Sequence, residues 1–312
     1  MHDITNADIQ HAVNSSGLQG FTGKYSELGG GEVNDTFALD CGNSKAVLRI
    51  SRFESSWMLQ LEADALELMD FNRVPHLLFF DGNKKIKNRL WIIESFVPGQ
   101  QVDRLNLQQY RSLGQLLAKI HKIVEPELSA INFWDDYLRA SKMFGDENKL
   151  LHHPDQTLHK LINKAHDFFI AQNQKFEPIH KSLIHGDLTP NNFLVNGDEV
   201  SLIDWEFASF KDPMSDFSTI YYPDMELNDG RWRVHITPDE RSALFNGYAD
   251  AGGTINERLI EIDILVDKLC TATYNYWKVH QSGHPIEDDR LAQYQFDYGN
   301  LIKSLGSELS KD

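Results

Sequence analysis

The stretch "HGDLTPNNFLVNGDEVSLIDWEF", residues 185–207, decides how this chain is read. "SLIHGDL" and "FLVNGDEVSLID" read as short strands, and Asn196-Gly197-Asp198 reads as a hairpin turn, because glycine supplies the positive φ that a tight turn needs. That hairpin returns Asp204 to the neighbourhood of Asn192. A carboxylate and an amide oxygen so placed are hard ligands suited to Mg²⁺, which binds through one or two carboxylates together with substrate phosphates. Asp187, outside that pair, is placed to accept a proton from an alcohol, a role that mainly orients the hydroxyl while positioning and charge neutralisation carry phosphoryl transfer.

The rest of the chain limits what can surround this loop. Its 312 residues suffice for one large domain or two lobes with a sizeable core. A formal net charge of −16 opposes a nucleic-acid partner and favours either plain solubility or a cationic ligand. Acids outnumber bases most clearly from Asp198 to Arg241. Cys41 and Cys270 stand far apart with no C-x-x-C, which argues against a disulfide framework or a zinc site and fits a reducing cytoplasm. The N-terminal segment lacks the pattern of a signal peptide and no run of 18 apolar residues occurs, so neither secretion nor a membrane span is expected.

Up to about Pro98 the pattern is mostly strand-like: "FALD", "KAVLRI", "HLLFFD" and "RLWIIESFV", separated by turn signals. One helix is expected there, at about 57–72. After "VPGQ" helical spacing dominates. Leu107, Tyr110, Leu113, Leu117, Ile120 and Val124 step by three and four, and residues 157–170 do likewise. Thr237-Pro238-Asp239-Glu240 combines an N-cap, a proline at the first helical position and a capping-box glutamate. Two long helices are expected at about 256–281 and 286–309. The organisation implied is an α+β chain with a sheet-rich lobe, 1–97, hinged to a helical lobe, 98–312.

The spacing H-x-D-x-x-x-x-N, followed by a strand-borne Asp, resembles the catalytic and metal loops of the protein-kinase-like fold. In the form "HGDLTPNN…LIDWEFASFKDPMSD" it resembles the aminoglycoside phosphotransferase and choline kinase superfamily. The resemblance implies a two-lobed fold with a small antiparallel-sheet N-lobe and a larger helical C-lobe. It makes Asp187 the catalytic base and Asn192 and Asp204 the Mg²⁺ ligands. His185 becomes a structural residue of the loop, and Asp216 an acid that braces it. Asp212 reads either as part of that segment or as a cap for the helix after Pro213.

The same resemblance assigns ATP to the N-lobe. Gly30, Gly31 and Asn34 in "LGGGEVNDTFAL" match the GG-x-x-N turn of choline-kinase-like enzymes, with Thr36 a further phosphate contact. A P-loop is absent. Arg49 stands where protein kinases carry their ATP-contacting lysine, with Glu62 its expected anion; Lys45 is the lesser candidate. Backbone groups of Ser95, Phe96 and Val97 resemble the adenine-binding hinge. Glu94 beside them is read as a boundary residue without chemistry.

For the acceptor, the family pattern points to a small cationic alcohol, with choline or a related amino alcohol ahead of thiamine and aminoglycosides. Tyr274 and Trp277 share a helical face and resemble rings that hold a quaternary ammonium by cation–π attraction, with core packing the plainer reading. Glu206 and Tyr222 are further candidates for that site. His121 reads as a packing residue, and His152, His153 and His159 as surface. Two other classes compete with a kinase. A pseudokinase would usually lack one of Asp187, Asn192 and Asp204, and a metal-dependent hydrolase would leave the glycine turn and Arg49 unexplained.

Overall fold

The computed structural model describes residues 4–29, 33–52, 57–83, 85–142, 144–220, 236–281 and 288–310. Gly30, Gly31 and Tyr222 lie outside the described residues. The chain divides into two compact units. The first comprises Met1–Val102, His185–Asp187 and Asn192–Ser209; the second comprises Asp103–Ile184, Leu188–Asn191 and Phe210–Asp312. Elements are numbered in chain order.

In the first unit, alternating β-branched and aromatic residues build a five-stranded antiparallel sheet: β1 (Tyr25–Glu27), β2 (Asn34–Asp40), β3 (Lys45–Ser51), β4 (Leu77–Phe80) and β5 (Trp91–Ser95), in the order β1-β2-β3-β5-β4. Two helices accompany it, α1 (Asn6–Ser16) and α2 (Met58–Glu67). One face buries Leu39, Leu48, Ile50, Trp91 and Ile93 against Ile9, Ala12 and Val13 of α1. Only α2 is expected from sequence in this region, so α1 is an addition. Its signal is local: Thr5 caps Asp8 N–H, and the Asp8 carboxylate accepts from Thr5 N–H, a capping box with Asp in the third position. Its short apolar stripe, three buried residues, hides it from a periodicity search. Helix α2 is also shorter than expected, ending at Glu67 before a turn in which Arg73 adopts φ 79°.

The hairpin of β8 (Phe193–Asn196) and β9 (Glu199–Leu202) belongs to the same unit. Its register pairs Phe193 with Leu202 and Asn196 with Glu199, so the turn is the two residues Gly197 and Asp198, with Gly197 at φ 61°. Reciprocal backbone bonds join Val195 to Gln100 at 2.9 and 3.0 Å, and Leu202 N–H donates to Arg73 O at 2.9 Å. These contacts fasten the hairpin within the first unit and fix the exit direction of the chain at Asp204.

The second unit is mainly helical: α3 (Leu107–Ile120), α4 (Phe133–Ala140), α5 (Glu147–Leu151), α6 (Gln156–Asn173), α7 (Ser215–Ile220), α8 (Pro238–Asp250), α9 (Glu257–His280) and α10 (Asp288–Glu308). A small sheet, in the order β10-β7-β6, is formed by β6 (Val124–Ser129), β7 (Ile179–Ile184) and β10 (Ser209–Lys211). Val124, expected as the last apolar step of α3, instead opens β6 and is 46% exposed. Helix α8 starts as its sequence predicts, with Thr237 and Glu240 closing the capping box and proline in the first turn. It crosses α3 closely enough that a Cβ on Gly247 would lie 2.0 Å from Arg111 O, and one on Gly114 2.1 Å from Leu244 O. Between α9 and α10 the buried Lys268 donates to Glu308 at 2.8 Å and to Ser304 at 3.0 Å.

Candidate functional site

Strand β7 ends at Ile184, and His185–Asp187 leave it as loop rather than as strand. Gly186 takes φ 82°, and a Cβ there would meet Phe207 O at 2.4 Å, so only glycine fits between the two segments. The fully buried His185 donates from Nε2 to Ile203 O at 3.0 Å, while its Nδ1 accepts from Asp187 N–H at 3.3 Å. Those partners set the neutral Nε2–H tautomer. Its ring lies 4.6 Å from that of Trp205. Histidine thus ties the residue before Asp204 to the backbone of Asp187, an orienting position with no hydroxyl-facing nitrogen to spare. Asn192 Nδ2 donates to Asp187 O at 2.8 Å and to its Oδ2 at 2.9 Å. The amide nitrogen therefore spends both hydrogens on Asp187, which fixes the carboxylate's rotamer and leaves the amide oxygen as a prospective ligand.

Asp204 follows β9 with φ 68°, a left-handed conformation that costs a non-glycine residue about 1–3 kcal/mol and recurs at functional sites. Its carboxylate, 31% exposed, accepts from Arg49 Nη2 at 2.6 Å. Arg49 Nη1 lies 3.0 Å from Glu62 Oε1, which also accepts from Trp205 N–H at 3.1 Å. Glu206 Oε2 is 3.7 Å from Arg49 and accepts from Asn34 Nδ2 at 2.9 Å. Buried Glu94 completes the group. Four carboxylates thus surround one guanidinium. Burial would lower the Arg49 pKa, but Asp204, Glu62, Glu94 and Glu206 outweigh it and hold the guanidinium well above its usual value. Burial pushes Glu62 up to about 7 against the pull of Arg49. Burial, then the charge of Asp204, pushes Glu206 up to about 9, and burial with Glu62 holds Glu94 well above the usual carboxylate range. Glu62 Oε2, Glu94 Oε2, Asn34 Oδ1 and Arg49 Nε are buried without hydrogen-bond partners. A crowd of acids whose ionisation burial holds back, with orphaned oxygens among them, is a setting that a bound cation would favour. Among the described residues no group of three or more His, Cys, Asp or Glu forms a ready metal cage. A cation here would need oxygens from a ligand as well as from protein, as Mg²⁺ does beside phosphates.

The sequence matches the model of a phosphotransferase enzyme family over residues 24–257, three quarters of the chain and all of the loop and acid cluster just described. The chain belongs to that phosphotransferase family. Protein LicA of Haemophilus influenzae is 24% identical over 202 residues, 61% of this chain and 56% of that protein, so the chain spans just over half of that relative's length. Among solved structures, a choline/ethanolamine kinase family protein from Mesorhizobium loti matches with a TM-score of 0.62 at 19% identity, covering 96% of this chain and 95% of the other. A spectinomycin phosphotransferase, solved with ADP and spectinomycin, matches with a TM-score of 0.61 at 14% identity over 97% and 98% of the two chains. These likenesses establish the protein-kinase-like α+β fold of this phosphotransferase.

Other sequence-predicted residues fall as follows. Asn34 and Thr36 lie on β2, with Thr36 opposite Arg49. Asn34 is buried and gives its amide hydrogen to Glu206, so its side chain serves the acid cluster. Glu206, expected on the acceptor side, is 9% exposed and sits beside Arg49. In the hinge segment Ser95 N–H donates to His76 O and Phe96 N–H to Lys45 O, while Val97 N–H makes no backbone–backbone bond among the described residues. Lys45 itself lies over the Phe96 ring at 5.2 Å.

In the second unit, Tyr274 and Trp277 do share a face of α9, 6.4 Å apart, with Phe144 5.9 and 5.7 Å from them. Both rings already carry a cation: Lys278 Nζ lies 5.4 Å from Tyr274 and 6.0 Å from Trp277. Asp216 is fully buried and accepts from His121 Nε2 at 3.0 Å, with His121 Nδ1 2.9 Å from the Tyr248 hydroxyl Oη. Asp212 Oδ1 caps Met214 N–H at 2.9 Å, and burial pushes its carboxyl up to about 6. The residue that sequence reasoning missed is Glu94. Its strand position gave no hint, because an acid next to a hinge looks like an ordinary strand end, and only the pairing of β5 with β3 reveals its neighbours.

Proposed function

We propose that this phosphotransferase moves the γ-phosphoryl group of ATP to the hydroxyl of a small cationic alcohol, choline or a related amino alcohol foremost. The observation that carries the reaction is the pairing of Asn192 with Asp187. It holds one carboxylate in a single rotamer, within the same unit as Asp204 and Arg49. Asp187 orients the acceptor hydroxyl and takes its proton as the acceptor oxygen bonds to the γ-phosphorus; the bond to the bridging oxygen breaks, and ADP leaves. Arg49, held by Glu62, offers its guanidinium to phosphate oxygens. Val97 N–H, which makes no backbone–backbone bond among the described residues, is the candidate adenine contact.

The donor chemistry fits Mg²⁺. Asp204 and the amide oxygen of Asn192 would hold it, Glu206 would lie close by, and the bound ion would supply charge neutralisation on the transferring phosphoryl group. Glu206 therefore belongs with the phosphate side of the site rather than with the acceptor. The cationic acceptor is supported by the net charge of −16 and by the likeness to a choline/ethanolamine kinase family protein. Tyr274 and Trp277 are its candidate ring contacts, in competition with Lys278.

The test is ADP production from Mg²⁺–ATP with choline, ethanolamine, thiamine and an aminoglycoside panel, each beside a no-acceptor control. Acceptor-dependent turnover with choline or ethanolamine is expected. Asp187→Ala should bind ATP normally and lose about 10²-fold to 10⁴-fold in turnover, the span attributed to a general base. Turnover confined to aminoglycosides would move the acceptor class, and wild-type turnover in Asp187→Ala would overturn the mechanism.

A further inference from the structure

Four aromatic rings gather in the second unit from three segments: Phe144 before α5, Tyr274 and Trp277 on α9, and Tyr294 on α10. Neighbouring centroids lie 5.9, 5.7, 6.4 and 6.0 Å apart. On the α5 side of Trp277 the rings close over a cavity of about 10 Å³, lined by Phe144, Leu150, His153, Thr273 and Trp277 among others but not by Lys278. Such a cavity holds one water at most, so a larger guest has no room there. The other approach is the half-buried surface shared by Tyr274, Trp277 and Lys278. Helical side chains lean toward the N-terminus, which brings Lys278 back over Tyr274, four residues earlier. Its Nζ lies 5.4 Å from the Tyr274 centroid and 6.0 Å from that of Trp277, within cation–π reach of both. A basic residue in the last turn of α9 also suits the helix dipole, which accounts for the charge of Lys278 but not for its place over two rings.

We propose that Lys278 is a specificity-determining residue for the acceptor. Its ammonium fills, as a tethered guest, the ring site that the cationic group of an amino alcohol takes, and the acceptor binds there when Lys278 swings away. The inference rests on the acceptor reading given above. A site held by its own chain is open for only a fraction of the time, and the apparent dissociation constant of any guest rises by the inverse of that fraction. A half-exposed cation–π contact keeps the site filled about two to five times as often as open, which raises the constant about threefold to sixfold. An alcohol that offers the rings no cation must displace one and put nothing in its place, so the lysine selects against neutral acceptors. A lysine ammonium is also strongly hydrated, so a methylated ammonium, which holds water less tightly, is the better guest.

Steady-state kinetics on the full chain test it, with choline and ethanolamine as acceptors and tetramethylammonium, which has no hydroxyl, as a competing probe. Lys278→Gln should lower KM for both acceptors, and the inhibition constant of tetramethylammonium, about threefold to sixfold, with kcat changed less than about twofold. Lys278→Arg keeps a cation over the rings and should stay within about twofold of wild type in all of these. In a Trp277→Leu background the gain from Lys278→Gln should shrink, because one of the two ring contacts is gone. A role in helix stability alone would lower the melting temperature of Lys278→Gln and leave KM where it was. An unchanged or higher KM in Lys278→Gln, with turnover of either acceptor, would overturn the role of Lys278 and leave the acceptor reading in place. Absence of turnover with both acceptors would overturn the two together.

Discussion

Replacing Arg49 with methionine removes its guanidinium from among four acids and keeps most of the side-chain volume. Arg49 contacts Asp204 at 2.6 Å and Glu62 at 3.0 Å, and its side chain is 6% exposed. Breaking a buried ion pair on one side typically costs about 3–5 kcal/mol, because the partner charge is left uncompensated. That cost applies only while the partners are ionised. Burial already holds Glu62 at about 7, so protonation offers an escape below neutrality. The folded state binds more protons than the unfolded one between the ordinary glutamate value and about 7. The stability associated with Glu62 is therefore complete at low pH and is lost as pH rises through that window. Without Arg49 the Glu62 carboxyl rises further and the loss steepens. The expected destabilisation of Arg49→Met is about 1–2 kcal/mol at pH 5.5, the worth of the lost hydrogen bonds, and about 3–5 kcal/mol at pH 8.5. Urea unfolding at the two pH values measures the difference, and ATP affinity should fall in parallel. A destabilisation that is independent of pH, or greater at pH 5.5, would refute this account of the cluster.

Two further outcomes follow from the second unit. Gly247→Ala places a methyl 2.0 Å from Arg111 O, so α3 and α8 must separate, at about 1–3 kcal/mol or more, and a scanning-calorimetry melting temperature unchanged within a degree would contradict that contact. The two hydrogen bonds from Arg104 to Glu240, at 2.6 and 2.7 Å, hold the Glu240 carboxyl down at about 2. Arg104 is half exposed, so Arg104→Ala should cost only about 1 kcal/mol above pH 4.5 and progressively less as pH falls toward 2; a difference that grows with acidity in denaturant titrations would be the wrong sign.

Much of this arrangement is written in local chemistry. The Asn196-Gly197-Asp198 turn, the capping box at Thr237 and the pair of long C-terminal helices follow from φ preferences, cap hydrogen bonds and helical spacing, all of which act over a few residues. The chemical character of Asp187, Asn192 and Asp204 is equally local, since their spacing around one hairpin brings them together in any folded form of that segment. Helix α1 escaped because its apolar stripe is short, and Val124 misled because a helical period ran by chance into a strand.

What the sequence by itself determined is therefore the hairpin, its three polar side chains and the family to which they belong. Tertiary structure alone decided that Glu206 and Asn34 face each other beside Arg49, and that Lys278 lies over Tyr274 and Trp277. It alone brought Glu94 to the same sheet face as Arg49. These are pairings between segments far apart in the chain, fixed by strand register and by burial. Charges buried together shift one another's protonation by several kcal/mol, an effect with no counterpart in a list of residues.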